Sequence, residues 1–158
     1  GTVPFFSKVF HCSSAFVMLF VVSVLLSLAG SAAWAWYSGW RSLASKYKKS
    51  SKAEWEEAPC LFSLNGYPYS LCLARLGASR DGLHLTGPGG AILGSVFSHP
   101  AITVPWRNVT FKGETPDLYY YEVDLDGTLL RLRNAKLYGR LMNTRKISDI
   151  VKFTPSFA

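Results

Sequence analysis

Between Val9 and Trp40 the chain carries no Asp, Glu, Lys or Arg. Within that stretch lies AFVMLFVVSVLLSLAGSAAWAWY, Ala15 to Tyr37. It exceeds the roughly 20 apolar residues that an α-helix needs to cross about 30 Å of hydrocarbon. A single spanning segment must satisfy its own backbone hydrogen bonds, so helix is the state to expect. Trp34, Trp36, Tyr37 and Trp40 crowd its C-terminal end, where amphipathic rings favour the headgroup layer. A removable signal peptide is the rival reading, with Lys8 as n-region, Ala15 to Ala29 as h-region and Ala33-Trp34-Ala35 as cleavage site. The apolar run is long for an h-region, which favours a retained anchor. Residues 1–13 are then an N-terminal extramembrane segment and residues 14–37 a transmembrane helix.

The flanks orient the anchor. Only Lys8 precedes it, whereas Arg41, Lys46, Lys48, Lys49 and Lys52 follow. The positive-inside tendency therefore places the N-terminus outside and the C-terminal part in the cytoplasm. Cys12, Cys60 and Cys72 suit that reducing side as small hydrophobes. A Cys60–Cys72 disulfide in an exported domain is the alternative, and it would reverse the topology. Ser23, Ser27 and Gly30 or Ser31 fall on one stripe of the helix, and small residues at such spacing let helices approach closely within a membrane.

Residues 38–59 form a basic juxtamembrane connector. Trp40, Leu43, Ala44 and Tyr47 stand at i, i+3, i+4 and i+7, one face of a helix. Such a helix either lies in the membrane interface with its cations near anionic headgroups or simply continues the anchor. From residue 60 to 158 the pattern shifts towards period two. Apolar or β-branched segments CLFSL, YSLCLARL, LHLTG, ILGSVF and AITVPW alternate with turn signals at Asn65-Gly66, Asp81-Gly82 and Gly87–Gly90.

The sharpest local signal is LYYYEVDL-DG-TLLRLR. A two-residue Asp126-Gly127 loop suits a type I′ turn, which needs positive φ at both positions. That turn sets Leu125 against Thr128, Val123 against Leu130 and Tyr121 against Leu132, leaving Glu122 opposite Arg131 on the other face. Asn134 is placed to cap a helix carrying Leu137, Tyr138 and Leu141; Ile147, Ile150 and Val151 suggest a second short helical face, with Pro155 as a stop. The fold class expected is α+β: a single N-terminal transmembrane helix followed by a small antiparallel β-rich domain closed by a C-terminal helix.

GWRSLASKY after an apolar segment, YSLCLARLGASRDGLHLT, and FSHPAITVPWRNVTF together resemble a group of small bacterial membrane-anchored proteins. The resemblance rests on Trp40, Leu43, Ala44 and Tyr47; on Gly82, Leu83 and Leu85; and on Phe97, His99, Pro100, Pro105, Trp106 and Val109. It covers roughly residues 39–111 and leaves the last third unassigned. Its GL-x-L … PW-x-x-V arrangement is similar to the early strands of pleckstrin-homology-like and GRAM-like domains. The resemblance implies a lipid- or protein-binding platform at a bacterial inner membrane, and it carries no catalytic residue to transfer.

Candidate chemistry is sparse. Cys60, Cys72, His84 and His99 include no pair at metal-ligand spacing. GPGGAILG lacks the Gly-Lys-Ser/Thr ending of a phosphate loop. Asp81, Asp124 and Asp126 sit where turns favour them. No catalytic, cofactor-binding or metal residue is therefore assigned, and no cofactor, nucleic acid or small-molecule substrate is expected. Arg131, Arg133, Lys136, Arg140, Arg145 and Lys146 fall within a stretch devoid of Asp and Glu, a candidate surface for anionic partners.

One last segment, HPAITVPWRN, looks like a site but reads as structure. Ile102, Val104 and Trp106 share a strand face, with Leu83 and Leu85 as further core. Val109 and Phe111 have the opposite parity, as they would across a β-bulge. His99 is expected at the strand start, where its loss leaves partner binding nearly intact. The reading that results is a non-catalytic single-pass membrane protein: an interaction or assembly module, accessory to a larger membrane complex, whose partners are membrane lipid and other membrane protein subunits. A sensor of anionic headgroups is the alternative.

Overall fold

A computed structural model describes residues 4–49, 52–57, 61–70, 74–87, 90–117 and 119–153. The apolar run forms one helix, α1 (Pro4–Tyr37). It begins within the segment assigned to the extramembrane N-terminus, since only Pro4, at a first-turn position, would interrupt a helix there. Ser13–Tyr37 is long and apolar enough to cross a membrane, a criterion that a signal sequence also meets. A left-handed Gly39 (φ 85°) ends α1 and starts α2 (Trp40–Lys46).

Among the described residues nine strands follow, in two antiparallel sheets. The first sheet contains β1 (Trp55–Glu57), β4 (Arg75–Ala78), β5 (Gly82–Thr86) and β6 (Ile102–Pro105), in that order. The second runs β3 (Tyr67–Ser70), β2 (Leu61–Leu64), β9 (Thr128–Leu132), β8 (Tyr121–Leu125) and β7 (Val109–Glu114). β1 pairs with β4 in one sheet and β2 with β3 in the other. The chain on either side of the Asn65-Gly66 turn thus contributes to both sheets. The architecture is α+β, as expected.

Turn chemistry explains the hairpins. Asn65 and Gly66 have φ of 49° and 84°, Asp126 and Gly127 of 53° and 94°, the left-handed pairs of type I′ turns. The β8–β9 register is the predicted one, from Tyr121 opposite Leu132 to Leu125 opposite Thr128. Val123, Leu125, Leu130 and Leu132 face the core, and Arg131 donates to Glu122 at 3.0 Å on the opposite face.

Three local expectations need correction. The parity slip between Trp106 and Val109 is a 3-10 turn, Trp106–Asn108, that hands the chain from β6 in the first sheet to β7 in the second. A register shift does occur in β7, but between Phe111 and Gly113. ILGSVF is not a strand; α3 (Gly90–Val96) covers most of it, and an apolar run this short carries no decisive period. Ile147, Ile150 and Val151 belong not to a second helix but to the end of α4 (Ala135–Phe153), where they are exposed. Nothing between Leu141 and Ile147 breaks a helix.

The core lies between the sheets. Leu83, Leu85, Ile102, Val104 and Trp106 are buried, as expected, together with Phe62, Leu64 and Leu76. α4 closes it with Leu137, Tyr138 and Leu141. Its N-terminus is capped as the sequence suggested, Asn134 Oδ1 accepting from the Leu137 amide at 3.1 Å. The helix bridges both sheets. Trp55 in β1 donates to Thr144 at 3.0 Å, and Tyr138 accepts from the Gly113 amide of β7 at 3.0 Å.

Candidate functional site

The most elaborate polar arrangement joins α1 to the β domain. It begins with α2, whose apolar face is not turned to a membrane. Trp40 and Leu43 are fully buried in the domain, with Ala44 and Tyr47 packed against the same core. Trp40, grouped by sequence with the interfacial aromatics, is therefore a core residue. Its ring lies 5.4 Å from Tyr69 and 4.9 Å from His99, and its Nε1 donates to the Pro100 carbonyl at 3.0 Å.

Around Trp40 runs a directed chain of hydrogen bonds. His99 Nδ1 lies 2.7 Å from the Phe97 carbonyl, which only accepts, so Nδ1 carries the proton. Nε2 is then the acceptor, and Tyr69 donates to it at 3.0 Å. Ser38 in turn donates to Tyr69 at 2.8 Å. Ser31, on α1, donates to the same Phe97 carbonyl and lies 3.2 Å from Nδ1. The assigned tautomer follows from these neighbours. Ala35 and Ser38 are fully buried, and Leu28, Ser31 and Ala32 half-buried. The last three turns of α1 therefore pack on the domain along one face.

Burial sets the protonation states. Desolvation pushes the Tyr69 hydroxyl up to about 12, slightly offset by Ser38. Desolvation also lowers His99, against a smaller opposing effect of the Phe97 carbonyl. His84, between Ser79 at 2.7 Å and Thr103 at 3.2 Å, is lowered for the same main reason. Both rings are held neutral. The unfolded chain, with its ordinary histidine value of 6.5, takes up more protons as pH falls below that value. Stability is complete above about pH 6.5 and is expected to fall below it, by up to about 1.4 kcal/mol per pH unit per histidine. Denaturation in detergent across roughly pH 5 to 8 checks this; a flat profile would contradict it.

Gly39 fixes the angle at the joint. Beyond its positive φ, a Cβ there would sit 2.8 Å from Asn65 Nδ2 and 3.1 Å from Thr128 Oγ1. Asn65 also donates to the Ser38 carbonyl at 3.3 Å. Gly39→Ala is expected to lose about 1–2 kcal/mol from the backbone conformation alone, with the side-chain conflict added. Thermal melting beside the wild-type chain measures it. The far end of α2 is latched to the β8–β9 tip. Tyr47 donates to Asp126 at 2.8 Å, Asn108 donates to Tyr47 at 2.7 Å, and Lys46 pairs with Asp126 at 3.4 Å.

The other sequence-selected residues scatter. Trp34 meets Tyr67 edge-on at 5.2 Å, Tyr37 stacks on Tyr67 at 6.2 Å, and exposed Trp36 lies beneath Arg41 at 5.1 Å. On the small-residue stripe, Ser27 donates back to the Ser23 carbonyl, and a Cβ at Gly30 would meet nothing within 4 Å. Ser31 alone of that stripe turns to the domain. The basic stretch does not form one free patch. Arg131 is paired with Glu122, and Arg140 with Glu57 over the Trp55 ring. Arg145 donates to the Val109 carbonyl. Arg133 stands over Tyr119 and Tyr120; Lys136 and Lys146 are exposed.

Among the described residues no three His, Cys, Asp or Glu side chains converge as metal ligands, and every buried side-chain polar atom has a partner. Cys60 and Cys72, and with them the alternative of a disulfide between them, lie outside the described residues. Ser38, Tyr69 and Tyr67 were not singled out from sequence. The network draws on positions 31, 38, 69, 97 and 99, which no local spacing links. No protein family, curated protein or solved structure matches this chain.

Proposed function

We propose that the chain is a non-catalytic single-pass membrane protein whose β domain is an interaction or assembly module, accessory to a larger membrane complex. The N-terminus lies outside and the domain on the cytoplasmic side of a bacterial inner membrane, following the cations from Arg41 to Lys52. The observation that carries this reading is the junction. Ser31 and Ser38 of the anchor end are hydrogen-bonded through Tyr69 and His99 to the domain. A domain held in one orientation to its anchor suits docking against other membrane subunits better than a head on a loose tether. A pleckstrin-homology-like or GRAM-like fold is part of the proposal. It is supported by two antiparallel sheets sharing the β1–β4 region and a C-terminal helix across them.

Native purification in mild detergent tests the proposal. The chain is expected to migrate with other membrane proteins at fixed stoichiometry; a chain that always runs alone would overturn it. A sensor of anionic headgroups has weaker support, because Arg131, Arg140 and Arg145 are engaged within the domain while Arg133, Lys136 and Lys146 face solvent. That reading requires a steep dependence of liposome binding on anionic lipid, lost when Arg131, Arg133 and Arg140 are changed to Ala.

A further inference from the structure

The anchor is not the only long uncharged stretch. From Gly82 to Trp106 no Asp, Glu, Lys or Arg occurs. β5 and β6 account for both ends of it as buried core. In its middle lies α3, which carries exposed apolar side chains. Leu93 and Val96 are 50% and 59% exposed, one turn apart on the same side of the helix. The neighbouring Gly94 faces the other way, where a Cβ would sit 2.5 Å from the His99 carbonyl. α3 thus presses a small residue against the domain and turns two large apolar ones outward.

Its place along the anchor gives that outward face a partner. Ser31 of α1 donates to the carbonyl of Phe97, the residue immediately after α3. Ser31 lies six residues before the end of α1, or about 9 Å along the helix axis. It is deeper in the apolar stretch than Trp34, Trp36 and Tyr37, the rings suited to the headgroup layer. A segment touching Ser31 sits at the level where the anchor is meant to be surrounded by lipid. We infer that α3 is a second membrane-contacting element, with Leu93 and Val96 inserted into the acyl–headgroup boundary beside α1.

This rests on α1 being a membrane anchor, and lipid is the occupant that continuity with its apolar surface selects. α3 adds its own reasons. Its C-terminal turn is closed by the Phe97 and His99 amides, which donate to the Leu93 and Gly94 carbonyls at 3.0 and 2.7 Å. An interfacial helix reaches about 5–10 Å into the headgroup and acyl boundary, commensurate with the Ser31 offset. Arg41 is exposed at the start of α2, over the Trp36 ring at 5.1 Å, where a headgroup phosphate would meet it.

The test uses the full chain in phosphatidylcholine–phosphatidylglycerol vesicles, with Cys12, Cys60 and Cys72 changed to Ala. A polarity-sensitive fluorophore is attached at Leu93→Cys or Val96→Cys. Leu19→Cys, inside the apolar helix, and Asp117→Cys, in an exposed turn, serve as references. Blue-shifted emission quenched by nitroxide-labelled lipid is expected at 93 and 96 as at 19, and not at 117. Water-like emission at 93 and 96 with a quenched Leu19 site overturns the α3 inference and spares the anchor. Blue-shifted emission that lipid nitroxides do not quench also overturns it, placing protein over α3. An unquenched Leu19 site overturns the anchor and the inference together. Two label positions, each checked by melting, guard against a label that disturbs folding.

Discussion

Trp40→Ala is expected to destabilise the domain by about 3–5 kcal/mol, the usual loss for a buried aromatic truncated in a core that cannot collapse. The ring is completely buried between α2, Tyr69 and His99, and its indole N–H serves the Pro100 carbonyl. Trp40→Phe keeps most of the packing and gives up mainly that hydrogen bond, a loss of about 1 kcal/mol. Denaturant titration in detergent separates the two. The alanine variant has a second signature. With Trp40 gone, the start of α2 loses the ring that contacts Tyr69 and His99. Proteolysis near Ser38 and Gly39 is expected to accelerate by more than the global loss of stability accounts for. Cleavage there at the wild-type rate would show that the joint does not depend on Trp40.

Trp106→Ala is expected to lose a similar amount, about 3–5 kcal/mol, with a different outcome. Trp106 is buried where the chain passes from β6 to β7, its Nε1 donates to the Ser79 carbonyl at 2.9 Å, and it stacks on Phe111 at 6.4 Å. It holds the two sheets together, its ring set against Ser79 and Phe111 rather than against the His99 network. Its loss should lower global stability and leave the α1–α2 joint no more susceptible than the rest. Equal energies with unequal local effects would distinguish the residue that joins from the residue that fills. A selective opening at Gly39 in the Trp106 variant would contradict this division.

Legibility tracked the range of the interaction. The β8–β9 hairpin could be read residue by residue, because Asp126-Gly127 fixes the register and the side chains agree with it. The helix after Asn134 could be read from its cap and from Leu137, Tyr138 and Leu141. The slip after Trp106 was visible as broken alternation. A parity change looks the same for a bulge and for a change of sheet, and only the partners of β6 and β7 separate them. α3 was misread because a brief apolar run is helix or strand according to what it packs against. The candidate site was the least legible. His99, expected at a strand start, lies in the connection between α3 and β6, three residues before Ile102. That it would reach Ser31 and Tyr69 depends on how α1 lies against the sheets, which no local pattern encodes. Trp40 looked like an interfacial ring until its position in the core gave it another role.

The junction also has a mechanical meaning. α1 spans 34 residues, about 51 Å of helix, against roughly 30 Å of hydrocarbon. In a bilayer the surplus is taken up by leaning or by protrusion, and the lean varies with membrane thickness. A swivelling tether would absorb that variation. Here Gly39, Ser38 and the His99 network make helix and sheets one lever. If α1 spans a membrane as proposed, thinning that membrane would therefore swing the exposed faces of α4 and the β7–β8 edge through an arc, changing which way they point relative to the lipid plane.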